Sequence, residues 1–64
     1  MSSSVARAAE AMSDEELATA IDALHTRGRC FLLDGNVDAA REVAADRMIC
    51  LSIQRHRRQR DGQG

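Results

Sequence analysis

Sixty-four residues make one domain near the lower limit of independent folding. Hydrophobic residues are 44 % of the chain, but eleven are Ala and only fifteen are Phe or larger aliphatics, so a monomer's folding balance sits near zero and a partner chain is the expected remedy. The net charge of −1 hides a split of −4 over residues 1–54 and +3 over residues 55–64. No run approaches the ~18 apolar residues of a membrane span, and the Ser- and Ala-rich start lacks the apolar core of a signal peptide. A reducing, cytoplasmic setting and no membrane contact are therefore expected. All nine basic residues are Arg and none is Lys, a compositional bias in keeping with a GC-rich bacterial or phage source.

Residues 1–12 carry Ser2, Ser3 and Ser4 as possible caps, then Val5 to Ala11 in a helix-favouring composition. A segment this short does not hold a helix alone in water, so it is either an arm or a short helix resting on a neighbour. Ser13, Asp14, Glu15 and Glu16 then form a capping box, with Met12 and Leu17 placed as its hydrophobic staple. From Leu17 the apolar positions Ile21, Leu24, Gly28 and Phe31 follow at helical spacing. This helix runs over about 13–34 and stops at Gly35, the residue able to take a positive φ. Gly28 lies within its seam, where it would let another helix approach closely.

Asn36 caps a second helix over about 37–58, with Val37, Ala40, Ala44, Met48 and Leu51 as its expected inner stripe and Val43 and Arg47 flanking it. Met48, Ile49, Cys50, Leu51 and Ile53 make the next segment apolar on nearly every side, which calls for burial on more than one face. Residues 59–64 read as a flexible tail. The fold class is all-α: an antiparallel two-helix hairpin over residues 13–58, pairing with a second copy into a four-helix bundle.

Leu24, Gly28, Phe31, Gly35 and Ala40, with Asn36, Val37 and Asp38 before the last, resemble the signature of a single tetratricopeptide-repeat hairpin over residues 21–53. Arg27 stands where that family prefers Leu and Arg47 where it prefers Ala. The resemblance implies hairpin geometry; the family's concave peptide-binding surface needs several repeats and is not implied by one.

Candidate chemistry is sparse. His25 and Cys30 point to different sides of one helix, and Cys30 and Cys50 would lie roughly 13 Å apart along a hairpin axis, beyond disulfide reach. No zinc spacing, phosphate loop or nucleophile motif is present. No catalytic, cofactor-binding or metal residue is therefore assigned, no cofactor is expected, and the chain is read as non-catalytic. The partner or dimer interface is assigned to Phe31, Met48, Ile49, Leu51 and Ile53. Charged recognition is assigned to the acidic stripe Asp38, Glu42 and Asp46 and to the cluster Arg55, Arg57, Arg58 and Arg60. The expected function is a small protein-binding regulator or adaptor of the phage, plasmid or secretion-accessory kind, working as a homodimer with a protein partner. The alternative is a small dimeric nucleic-acid-binding protein that uses the Arg cluster on phosphates.

Overall fold

A computed structural model describes residues 4–62 of the chain. Its order is α1 (Ser4–Ala11), α2 (Asp14–Leu33) and α3 (Val37–Gly62), with no strand among the described residues. Ser13 starts α2 as expected: its Oγ accepts from the Glu16 N–H at 3.1 Å, and the Glu16 carboxylate accepts from the Ser13 N–H at 2.9 Å. Met12 packs beside the buried Leu17, completing the staple and setting the angle at which α1 enters α2.

The Ser13 backbone N–H first, and the Ser13 hydroxyl second, hold the Glu16 carboxyl below its ordinary value of 4.5. A lowered native pKa contributes stability above the unfolded value and loses it as pH falls through the native one. Stability should therefore fall as pH is taken below about 4.5, and Glu16→Gln should flatten that part of a plot of urea midpoint against pH. An unchanged slope would mean that the box does not couple to protonation.

At the other end of α2, Gly35 takes φ +78°. The Asn36 N–H donates to the Phe31 carbonyl at 2.8 Å and the Gly35 N–H to that of Leu32 at 3.1 Å. This is a Schellman motif, in which the last carbonyls of the helix find donors inside the turn. Asn36 then caps α3 by accepting from the Ala39 N–H at 3.3 Å. The chain reverses here, so Val43 of α3 meets Gly28 of α2, and Arg57 reaches Asp14.

The core is small. Ala9, Leu17, Ile21 and Cys50 form its buried centre, flanked by Met12, Leu24, Leu51 and Ile53, and Ala40 and Val43 are buried nearer the turn. Two expectations are corrected by this packing and one alternative is decided. Of the arm and the short helix, residues 4–11 take the helix, because Ala9 seats against α3 at 1 % exposure and supplies the tertiary contact that a short helix needs. The helix α3 continues to Gly62, beyond the expected 58, so residues 59–62 of the expected tail are helical; residues 63–64 of that tail, like Ser2 and Ser3, lie outside the described residues.

The inner stripe of α3 is also rotated from the expected one. Ala40, Val43 and Cys50 are buried and Arg47, Gln54 and Arg57 are half-buried, whereas Val37 and Met48 are 50 % and 64 % exposed and Ala44 is exposed. Long polar side chains can cover apolar surface with their stems while their heads reach outward, so hydrophobicity alone does not mark this seam. The Arg47 Nε is buried without a hydrogen-bond partner among the described residues.

Gly28 is not needed for close helix approach. A Cβ built there would meet Val43 Cγ1 at 3.7 Å, an ordinary van der Waals contact. Gly28→Ala should therefore stabilise the chain by about 0.5–1 kcal/mol through helix propensity, seen as a higher thermal midpoint. A lower midpoint would show that the seam is tighter than this contact indicates.

Candidate protein-binding surface

The short helix α1 lies against α3 and barely meets α2 beyond their joint at Met12 and Ser13. Ala8 of α1 and Ala20 and Ala23 of α2 are too short to close the space between the two helices. A groove of about 350 Å³ remains, lined also by Met12, Leu24 and Cys50, with Arg27 and Asp46 as its charged members. Nothing in the apolar periodicity of the sequence drew attention to it. The available signal was the Ala content of both helices, with Ala20 and Ala23 one turn apart.

A second apolar area surrounds the turn. Leu32 is 59 % exposed and Leu33 84 %, beside Val37. Of the expected interface residues, Phe31 is half-buried near this turn, and Met48 lies on the outside of α3 with Ile49 half-buried next to it. Leu51 and Ile53 pack instead against the chain's own core. The five residues therefore do not form one patch.

The charged residues divide in a similar way. Asp38 and Glu42 are exposed, while Asp46 is half-buried at the groove. Burial, with the nearby Asp46 carboxylate adding to it, pushes the Cys50 thiol above its ordinary range, which leaves it a poor nucleophile. Cys30 is exposed, and both cysteines are free.

Arg55, Arg58 and Arg60 are exposed together with His56 on the last turns of α3. Arg57 is separate from them. Its Nη1 donates to Asp14 Oδ1 at 2.9 Å and its Nη2 to the Glu10 carbonyl at 3.0 Å. One guanidinium thus joins the end of α1, the start of α2 and the body of α3, which makes it an internal tie.

Among the described residues, no group of three or more His, Cys, Asp or Glu side chains is placed to hold a metal ion. No described helix is long and apolar enough to cross a membrane. In comparisons with known proteins, no family model, no curated protein sequence and no solved structure matches the chain.

Proposed function

We propose that the chain is a small non-catalytic adaptor or regulator that acts by binding other protein chains. The observation that carries this reading is the uncovered apolar surface: a chain with so few large apolar side chains leaves Leu32, Leu33, Val37 and Met48 exposed and a groove open between α1 and α2. Such surface on a small chain marks a place where another chain binds. The first partner is a second copy, so that α2 and α3 of each contribute to an assembly of four long helices. A reducing cytoplasmic compartment suits the exposed free thiol of Cys30.

The test compares the wild type with Ala23→Glu, which places a carboxylate in the groove, and Leu33→Glu, which places one at the turn. Circular dichroism confirms folding, and affinity capture from extract of the source cell compares what each binds. A protein recovered by the wild type and lost with either variant supports the reading. Recovery of the same proteins by all three would count against it.

The exposed cations Arg55, Arg58 and Arg60 favour a second reading, in which a dimer binds nucleic acid phosphates. Arg57 is occupied by Asp14 and Glu10, so each copy offers about three phosphate contacts and a salt slope of roughly −3. Absence of any mobility shift with duplex DNA or RNA at low salt would end this alternative.

A further inference from the structure

The face of α3 opposite its buried seam is a continuous exposed strip from Asp38 to Gln59. The seam follows Ala40, Val43, Arg47, Cys50, Gln54 and Arg57; half a helical turn away lie Glu42, Ala45, Met48, Ile49, Ser52 and Arg55, all exposed except the half-buried Ile49. The two apolar residues sit at the middle, with small residues on either side. Charge differs along the strip: the acids Asp38 and Glu42 stand towards its start and Arg55 towards its end, while Arg58 lies on the side of α3 near α2 and Arg60 near α1. Arg41 is the exception, with Asp38 one turn before it on its own helix.

We infer that this strip pairs antiparallel with the same strip of a second copy, about a two-fold axis passing between Met48 and Ile49. This rests on the homodimer reading above and gives it a geometry. About that axis Met48 faces Ile49 of the other copy, and Ala45 faces Ser52, which lets the two backbones approach closely. Glu42 then faces Arg55, Arg41 faces His56, and Asp38 faces Gln59. Each of these pairings occurs twice, as an isologous interface requires.

Parallel pairing would put Glu42 on Glu42 and Arg55 on Arg55, so the charge pattern selects one direction. The four long helices then form a layer with α3 and its copy at the centre, and both α1–α2 grooves stay open on the outside. The strip is about 32 Å long and one helix wide, well under the ~800 Å² that each partner contributes to a standard interface. The dimer is therefore expected to be a weak, transient one.

The experiment is sedimentation equilibrium over micromolar to millimolar concentrations, on the wild type, Glu42→Arg, Arg55→Glu and the double variant carrying both. Each single variant places two like-charged pairs across the axis and should weaken dimerisation about tenfold. The double variant exchanges the charges and should return to within about threefold of the wild type. Circular dichroism checks that each chain is folded. A dimer whose affinity ignores all three variants would overturn this geometry while leaving the homodimer in place. A wild-type chain that stays monomeric at millimolar concentration would overturn both, and single variants that weaken pairing without rescue in the double would overturn the facing of Glu42 and Arg55.

Discussion

Leu17→Ala is expected to leave a large part of the chain unfolded at 25 °C. Leu17 has 0 % exposure and is the one large side chain fully buried among the described residues. It meets Ile21 on its own helix, Met12 before the cap, and Ala9 and Cys50 from the other two helices. Truncating a buried Leu costs about 2–5 kcal/mol, the upper values arising where the surroundings cannot collapse into the space. A domain of this size has only about 3–10 kcal/mol in total, so the loss is a large fraction of what exists. A urea titration followed at 222 nm should show a midpoint reduced by half or more. Leu33→Ala, at an 84 % exposed position, should stay within about 0.5 kcal/mol of the parent. Equal effects from the two would mean that the core is not centred where the packing places it.

Arg57→Gln is expected to loosen α1 before anything else. The substitution removes both bonds of the guanidinium, to Asp14 and to the Glu10 carbonyl. The Asp14 side chain is 77 % exposed, so water screens the ion pair and the charge itself contributes little. The charge-assisted bond to a carbonyl at the end of α1 is the larger loss, and together the two are worth about 1–2 kcal/mol. Hydrogen exchange should show amides in Ser4–Ala11 opening roughly tenfold more often, with a smaller change in the middle of α2. Arg58→Gln, one residue on and exposed, should leave these rates alone. A uniform rise across all three helices would mean that α1 does not move separately from the rest.

The features legible in the sequence were the local ones. The capping box at Ser13 and Glu16, the stop at Gly35 and the cap at Asn36 each depend on a few consecutive residues, and each appears as expected. The inward face of α3 was not legible because three of its six seam positions are Arg47, Gln54 and Arg57, whose apolar stems do the covering. The same mixture left Ile53 out of the expected inner stripe, although it packs against the core. The docking of α1 depends on Ala9, a residue small enough to seat closely on α3 and too small to mark itself by hydrophobicity. The groove was hidden for a related reason: it arises where Ala8, Ala20 and Ala23 fail to meet, and no motif records a gap.

Cys50 also gives this chain an internal clock. Its sulfur lies in the cluster that Ala9 helps to close, so a thiol reagent can reach it only when the structure opens there. When closing is faster than labelling, the observed rate is the intrinsic thiol rate multiplied by the fraction of time spent open. With Cys30 replaced by Ser, mass spectrometry of a single alkylation would then count how often the first helix lifts, and a partner chain that seats in the groove would be visible as a slowing of that count.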